Sequence, residues 1–351
     1  MTDFEVVVVG GGPAGAVAAL KCSRLGLKVL LIERQSKGRQ KPCGGLLTPK
    51  CLKFVKEELG AEVPQEILSS PHSLGLCMVP PSGRRNSRVL KNYELLNVKR
   101  NLFDSWLLDL AKESGVEIWE KAWFQALSKS KPLDLSIKKG EEEIRLSTSY
   151  LVGADGTLST VRKTLGRVGN DAVMVLQEYW NGEGDFGDYY YVLYRDSISD
   201  FCSYVIPKDG LLVTGVGAKR DSKVALADRS SHLQQWLIED YFFTPQTLVK
   251  RDGGPYPFGK VDLGDGDVVL VGDAAGFCNP LTGEGISFAL DSGSKAAEAM
   301  NRAKKINRQP LEIYAELSRG SIDYIQKAYQ TAMISNDALW ENIMKSEKGI
   351  L

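Results

Sequence analysis

Three glycines near the start of the chain, Gly10, Gly12 and Gly15, follow the spacing G-x-G-x-x-G. They come after an apolar run, 4–9, that predicts a buried strand, and before a small-residue run that predicts a helix. The first glycine allows a tight turn, the second lets backbone approach a pyrophosphate, and the third lets helix and strand pack closely. The helix N-terminus would present free amides to phosphates. The predicted pyrophosphate site consists of Gly10, Gly12, Pro13, Ala14 and Gly15.

A carboxylate ends the next predicted strand. Residues 28–32 form a second apolar run that ends at Glu33, followed by Arg34. There a carboxylate can accept hydrogen bonds from the hydroxyls of a ribose. A purely structural glycine turn would explain the glycines, but not the strand, helix, second strand and acid in order. The pattern therefore predicts a dinucleotide site, without distinguishing FAD from NAD.

A second buried strand, 268–271, runs into Gly272 and Asp273, and a glycine-rich segment follows. The carboxyl end of such a strand is where open parallel sheets bind ligands. A helix predicted to begin near Gly285 could stabilise negative charge with its dipole. A turn with a helix-capping acid would explain Asp273 alone, but not the glycine spacing behind it.

The composition excludes several classes of protein. The chain has 351 residues, about two domains' worth, with 44 basic and 44 acidic side chains. This balance argues against a nucleic-acid partner, and the two histidines exclude a histidine-rich metal site, so no metal is predicted. Six cysteines without a C-x-x-C pair are typical of reduced thiols in a cytoplasmic protein. Without an apolar run of about 18 residues, we expect at most peripheral membrane contact.

A third motif, the run Leu151-Val152-Gly153-Ala154-Asp155-Gly156 with Arg162 after it, completes a recognisable set. Together the three motifs resemble the FAD-dependent oxidoreductases of the p-hydroxybenzoate hydroxylase fold. Two further segments, 41–45 with the sequence Lys-Pro-Cys-Gly-Gly and 280–286 with Pro-Leu-Thr-Gly-Glu-Gly-Ile, resemble the geranylgeranyl reductase branch. The resemblance covers about residues 4–300.

The resemblance implies an α/β fold: a Rossmann-like FAD-binding domain, an interleaved antiparallel-sheet substrate domain and C-terminal helices. The aromatic and β-branched region from 173 to 214 has the composition of an antiparallel sheet, and 71–93 suggests strands of that other sheet. We assign 1–75, 95–170 and 255–300 to the FAD-binding domain, 76–94 and 171–254 to the substrate domain, and 301–351 to the C-terminal helices.

The resemblance also implies a role for individual residues. The glycine turn would bind the FAD pyrophosphate, Glu33 the adenosine ribose and Asp273 the ribityl chain. Arg100 matches an arginine that clamps the cofactor, and backbone of 283–286 would approach the pyrimidine edge of the flavin. The implied cofactor residues are Gly10, Gly12, Pro13, Ala14, Gly15, Glu33, Arg34, Cys43, Gly44, Arg100, Asp155, Gly272, Asp273, Gly283, Gly285 and Ile286.

Three residues are predicted to be catalytic: Cys43, Gly44 and Tyr204. The family places a cysteine near the flavin, and a Lys-Pro-Cys-Gly-Gly loop is a poor core element. The alternative is that Cys43 is a buried small hydrophobe. Tyr204 begins an aromatic-x-x-Pro-Lys segment that resembles the lining of the family's substrate cavity, where many members carry Trp. The alternative for Tyr204 is a core aromatic.

The resemblance implies reduction of carbon–carbon double bonds in a prenyl or other lipid-like apolar substrate, by hydride transfer from reduced flavin N5. With one dinucleotide fingerprint, the electron donor would bind transiently, as NADPH, NADH or ferredoxin. An aromatic monooxygenase shares every cofactor motif, and a flavin-binding redox sensor without turnover is the alternative outside enzymes. The Gly-Trp-x-Trp-x-Ile-Pro motif of flavin halogenases is not present. The basic segment 302–308 predicts a solvated helix face, with membrane contact as the alternative.

Overall fold

The computed structural model describes residues 2–167 and 171–345. Its strands are β1 Phe4–Val9, β2 Val29–Glu33, β3 Leu46–Leu47, β4 Leu68–Val79, β5 Arg88–Val98, β6 Glu117–Glu120, β7 Ala122–Ser128, β8 Leu133–Lys139, β9 Glu142–Gly153, β10 Asp171–Glu183, β11 Tyr189–Leu193, β12 Ser203–Lys208, β13 Leu211–Lys219, β14 Thr244–Phe258, β15 Gly264–Asp265 and β16 Val268–Leu270. Its α-helices are α1 Pro13–Arg24, α2 Pro49–Phe54, α3 Arg100–Glu113, α4 Thr160–Thr164, α5 Leu226–Tyr241, α6 Gly272–Ala275, α7 Ile286–Ile306, α8 Pro310–Ile334 and α9 Asp337–Lys345. A π-helical turn, Val55–Leu59, continues α2, and 3₁₀ turns occupy Gln65–Ile67 and Arg84–Asn86.

The chain folds as two interleaved units. The first unit consists of 1–40, 101–171 and 257–327, and the second of 41–100, 172–256 and 328–351. Each unit is built around one eight-stranded sheet. The α/β fold class with an interleaved antiparallel-sheet region is confirmed.

The sheet of the first unit has the order β15-β16-β9-β1-β2-β6, and β8 and β7 continue from β9. The strands β16, β9, β1, β2 and β6 run parallel. Val6, Val7 and Val8 of β1 have no exposed surface, since helices cover a parallel sheet on both faces. Helices α1 and α7 cross closely, because a Cβ on Gly293 would lie 2.3 Å from the Ala14 carbonyl oxygen.

The sheet of the second unit has the order β14-β10-β13-β12-β11-β4-β5-β3. Strands β11 and β4 are parallel, whereas the β10–β13–β12–β11 run is antiparallel. Helix α5 covers one face, where Trp236 and Leu237 belong to a buried cluster with Leu193 and Val216. On the opposite face, several tyrosines pack against a small apolar cluster of Leu74, Ile206 and Val213.

The boundaries of the two units differ from the domain boundaries expected from the sequence. The expected FAD-binding segment 1–75 divides at residue 40, because β3 pairs with β5 and β4 pairs with β5 and β11 in the second sheet. The expected C-terminal segment, 301–351, is also divided, since α7 packs on α1 within the first unit and residues from 328 belong to the second. Residues 168–170 and 346–351 of these segments lie outside the described residues.

Backbone conformation sets the ends of several elements. Helix α1 begins at Pro13, because proline is favoured in a first helical turn. Strands β6 and β7 are separate, since Lys121 adopts a positive φ of 54° between them. Helix α7 ends at Ile306, its C-cap residue Asn307 adopts a left-handed conformation, and α8 begins at Pro310. Within the described ranges, no helix is both long and apolar enough to cross a bilayer.

Candidate cofactor and substrate sites

The predicted motifs meet at one edge of the first sheet. Val9, the last residue of β1, is in register with Ile32 on one side and Gly153 on the other, and Gly153 is in register with Leu270. The four strands therefore end level, and the chain leaves each of them at the same edge. The motif residues that follow these ends are Gly10, Glu33, Asp155 and Asp273.

The glycine turn after β1 is tightly packed. Gly10 has a φ of 109°, and a Cβ there would lie 2.4 Å from the Ala154 carbonyl oxygen. A Cβ on Gly15 would lie 1.9 Å from the Gly10 carbonyl oxygen, so only glycine allows α1 to begin this close to the turn. Gly12 is the N-cap residue of α1, and no side chain accepts a hydrogen bond there. The first-turn amides of α1 are thus available for an anion.

Glu33 lines a small, open cavity in the first unit. The residue is 5% exposed. Its Oε2 accepts a hydrogen bond from the Gly11 amide at 2.7 Å, and its Oε1 accepts one from the Gln35 amide at 2.9 Å. These two bonds orient the carboxylate, which still has lone pairs for hydroxyl donors. Its position suits the predicted contact with a ribose.

Arg39 lines this cavity, and the sequence analysis missed it. Its Nε lies 3.5 Å from Glu33 Oε2, and its NH2 lies 3.3 Å from Asp104 Oδ2. The guanidinium would also lie 3.2 Å from a Cβ on Gly12. Arg34, which the sequence analysis assigned to the cofactor, is exposed and does not line this cavity, so its contact with the cofactor stays a prediction. No local sequence pattern distinguishes Arg39 from Arg34, because Arg39 pairs with Asp104, which lies 65 positions further along the chain.

Asp155 caps the short helix α4. Its Oδ2 accepts hydrogen bonds from the amides of Thr160 at 2.6 Å and Val161 at 3.1 Å. Its Oδ1 is buried without a hydrogen-bond partner within the described part of the chain. Burial raises the pKa of this carboxyl above its ordinary value, and hydrogen bonding with the Ser159 side chain and with backbone amides opposes that rise. A buried carboxylate oxygen without a donor is a place where a ligand donor would be stabilising.

Arg162 joins two of the motif loops. The side chain is 2% exposed, and it donates to the Thr157 carbonyl oxygen at 2.7 Å and the Ala274 carbonyl oxygen at 2.9 Å. Thr157 belongs to the loop after Asp155, and Ala274 follows Asp273 in α6. Burial lowers the pKa of the guanidinium. Arg162 therefore fixes the spacing between the two aspartate loops, a role that its place in the motif did not reveal.

The loop after β16 is shaped by glycines and ends at helix α7. Gly272 and Gly283 have φ values of 54° and 68°, and a Cβ on Gly285 would lie 3.4 Å from Asp273 Oδ1. Glu284 caps α7, because its carboxylate accepts hydrogen bonds from the Ser287 amide at 2.8 Å and the Ser287 hydroxyl at 2.9 Å. The predicted residues Gly272, Asp273, Gly283, Gly285 and Ile286 thus lie around one turn in the first unit.

The Cys43 loop belongs to the second unit. Cys43 is partly exposed, and its Sγ accepts a hydrogen bond from the Gly45 amide at 3.4 Å. A Cβ on Gly44 would lie 2.6 Å from Ile206 Cδ1, and Lys208 Nζ donates to the Gly44 carbonyl oxygen at 3.0 Å. The interpretation of Cys43 as a buried hydrophobe is not supported, since the loop lies against the end of β12 without joining the core.

Tyr204 lies on the sheet face opposite α5. A Cβ on Gly215, its partner on β13, would lie 2.0 Å from the Tyr204 ring. The Tyr204 hydroxyl donates to Gln177 Oε1 at 2.7 Å, and the Gln177 amide group donates to the Tyr179 hydroxyl. Burial raises the pKa of Tyr204 well above its ordinary value and that of Tyr179 to about 12, so both are neutral phenols at physiological pH.

Two remaining predictions concern cations. Arg100 is the first residue of α3 and is 9% exposed.

In the basic segment 302–308, Arg302 pairs with Glu298 at 2.6 Å, and Lys304 pairs with Glu5 at 2.6 Å. Arg308 pairs with two glutamates of α8. These pairs are typical of a solvated helix face. In the parts of the chain that the structure describes, no group of three or more His, Cys, Asp or Glu side chains is arranged for a metal ion.

Comparison with known proteins agrees with this geometry. The FAD binding domain family matches residues 3–182. The chain is 31% identical over 306 residues to geranylgeranyl diphosphate reductase of Rhodobacter capsulatus, covering 84% of this chain and 74% of that protein. A geranylgeranyl bacteriochlorophyll reductase-like protein from Thermoplasma acidophilum has a TM-score of 0.84 at 22% identity, covering 99% of this chain and 92% of the other. A p-nitrophenol 4-monooxygenase from Pseudomonas putida has a TM-score of 0.72 at 18% identity, covering 99% and 95%.

Proposed function

The chain belongs to the geranylgeranyl reductase family of FAD-dependent oxidoreductases, and from that premise we propose that it saturates carbon–carbon double bonds of a prenyl or other lipid-like apolar substrate. The observation that carries the proposal is the similarity, over most of the chain, to a geranylgeranyl diphosphate reductase. Family membership alone leaves the substrate open, because the fold is shared with a monooxygenase.

FAD is the cofactor of the chain, and three observations support the residues assigned to it. The turn at Gly10 and Gly15 has no room for side chains, so backbone amides of α1 can approach a pyrophosphate. Glu33 lines a cavity, and its carboxylate oxygens have lone pairs available for ribose hydroxyls. Asp155 has a buried oxygen without a donor near the other motif loops. When bound and reduced, the flavin supplies the hydride for the reaction.

The protein's own contribution is to bind the substrate and exclude water. Tyr179, Tyr190 and Tyr204 pack with a small cluster of aliphatic residues on one face of the second sheet. This face suits an apolar chain, since ligand sites are mostly apolar with a few placed polar groups. The Tyr204 proton is engaged by Gln177, so this phenol presents an acceptor lone pair and an aromatic surface.

The Cys43 loop is assigned to the same active site. Its two glycines allow the backbone to lie close to β12 and β5, which leaves the Cys43 side chain partly exposed. Reduction of an alkene adds a hydride to one carbon and a proton to the other. We assign Cys43 to contact with the reacting region, and the proton to an acid or water there. NADPH, NADH or ferredoxin would return the two electrons.

The experiment is an anaerobic half-reaction. The FAD-loaded protein is reduced with dithionite, freed of excess reductant, mixed with a geranylgeranyl lipid, and followed by flavin absorbance. We expect reoxidation that depends on lipid concentration and does not occur with the saturated phytanyl lipid, which serves as the control. No reoxidation by lipid without oxygen, together with aromatic-stimulated reoxidation in a parallel run with oxygen, would replace the proposal with a monooxygenase. A flavin that no substrate reoxidises would indicate a redox sensor.

A further inference from the structure

Lys208, the last residue of β12, is a half-buried cation held by three neutral oxygens. Its Nζ donates to Asn97 Oδ1 at 2.6 Å, to the Val98 carbonyl oxygen at 2.8 Å and to the Gly44 carbonyl oxygen at 3.0 Å. These bonds use all three donors of the ammonium. Among the described residues, no carboxylate lies within ion-pair distance of Nζ.

The acceptors around Lys208 are themselves fixed. Asn97 has no exposed surface, and its amide group donates to the carbonyl oxygens of Pro71 at 3.0 Å and Pro207 at 3.3 Å. The Val98 amide donates to the Gly45 carbonyl oxygen at 2.8 Å, so the loop also lies along β5. Among the acceptors of Lys208, Gly44 is therefore the one outside a strand, and its bond connects the loop to the junction of β5 and β12.

The two glycines of the loop allow this connection. Gly45 has a φ of 69°, and a Cβ there would lie 2.3 Å from the Val98 carbonyl oxygen and 3.0 Å from Lys208 Nζ. A Cβ on Gly44 would meet Ile206 at 2.6 Å. The backbone approaches the ammonium at a distance that no side chain would permit, which explains why a lysine and a Cys-Gly-Gly loop occur together.

We propose that Lys208 is a positioning residue that connects the Gly44 carbonyl to the ends of β5 and β12 and so fixes the Cys43–Gly44–Gly45 loop. The placement of the loop is independent of the substrate. Its catalytic meaning rests on the function proposed for Cys43. A test of loop position therefore does not depend on whether the protein reduces prenyl chains.

Because Lys208 is ionisable, the proposal predicts that loop opening depends on pH, which a purely packing role would not. Burial lowers the pKa of Lys208 from 10.5 to about 8, and the other ionisable groups that face it are Cys43, Asp209 and Lys99. An open loop would expose the amine and restore its ordinary pKa. Opening therefore takes up a proton between about pH 8 and 10.5, so the closed loop becomes more favourable as the pH rises.

The experiment is hydrogen–deuterium exchange of the amides of 43–48 in the FAD-loaded protein, with the peptide from α5 as internal reference. At pH 7, Lys208→Met leaves three acceptors without a donor, and we expect loop protection to fall about tenfold with α5 unchanged. Lys91→Met, on the exposed surface of β5, is the control and should match wild type. Equal loop protection in Lys208→Met and wild type would overturn the proposal.

The pH profile is the second measurement. In wild type, protection of 43–48 relative to α5 should rise about tenfold between pH 7 and pH 9. In Lys208→Arg the rise should vanish, because a guanidinium does not titrate in this range. A flat or falling wild-type profile would overturn the proposal. If Lys208→Met loses α5 protection as well, its fold is lost, and the wild-type and Lys208→Arg profiles decide.

Discussion

Replacing Arg162 by methionine should separate the two aspartate loops of the cofactor site. The guanidinium is 2% exposed and donates to the carbonyl oxygens of Thr157 and Ala274 at 2.7 and 2.9 Å. Methionine has a comparable length without donors, so both carbonyls lose their partner. Lysine would not restore both bonds. The guanidinium donates to the two carbonyls from two separate nitrogens, whereas the ammonium of lysine has only one nitrogen.

The magnitude follows from the two hydrogen bonds. Each bond from a charged donor contributes about 1.5–3 kcal/mol, and removing the buried charge recovers part of this sum. The lowered pKa of Arg162 indicates that burying its charge is unfavourable, so we expect a net loss of about 2–4 kcal/mol. For a protein of this size, that loss lowers the melting temperature by about 3–5 °C. Looser aspartate loops should weaken FAD binding about tenfold or more, equivalent to at least ~1.4 kcal/mol.

The assay is thermal denaturation of the FAD-free protein, together with FAD titration by flavin fluorescence. Arg167→Met is the matched control, because Arg167 is 48% exposed and its Nε lies 4.0 Å from an Asp262 oxygen. The control should change neither quantity measurably. If Arg162→Met melts and binds FAD like wild type, the two hydrogen bonds do not position the loops and the reasoning is wrong.

Three further substitutions test the sites. Gly15→Ala places a methyl group 1.9 Å from a backbone oxygen of the turn and should abolish stoichiometric FAD binding. Its control is Gly320→Ala, where the methyl group meets nothing within 4 Å; this variant should bind FAD normally and stabilise α8 by about 0.5–1 kcal/mol. Equal FAD content in the two variants would contradict the close packing of the turn. Gly215→Ala displaces the Tyr204 ring that covers Gly215, and it should slow flavin reoxidation by lipid while FAD stays bound. Gly254→Ala, whose methyl group meets nothing within 4 Å, is its control. Identical reoxidation rates in the two variants would exclude Tyr204 from the substrate site. Cys43→Ala should also keep FAD and react more slowly with lipid, and an unchanged rate would exclude Cys43 from the mechanism.

The cofactor motifs were predictable because each depends on local spacing. Strand, glycine turn and helix follow one another within about 30 residues, and the carboxyl ends of parallel strands meet at one edge whatever the connections between them. Glu33, Asp155 and Asp273 could therefore be assigned to one edge from sequence. The antiparallel aromatic sheet was predictable from composition, because β-branched and aromatic residues favour strands.

The residues that position these motifs were not predictable, because their partners are distant in sequence. Lys208 and Asn97 are 111 residues apart, and Arg39 and Asp104 are 65 apart. The two-residue strand β3 is too short to give an alternating pattern, so its pairing with β5 in the second sheet could not be predicted and the domain boundary was set too late in the chain. Tyr204 could be assigned to a strand, but not its position over Gly215, which depends on the register of β12 and β13.

The product of a single anaerobic turnover tests the central claim most directly. FAD-loaded protein, reduced and mixed with one equivalent of a geranylgeranyl lipid, should yield a lipid heavier by two hydrogen atoms. Two deuterium atoms should enter when the flavin is reduced and the reaction is run in deuterated solvent, because the hydrogen on flavin N5 and the proton of the acid both exchange with solvent. The same lipid recovered unchanged without oxygen, together with an aromatic product carrying one added oxygen atom in air, would contradict the account.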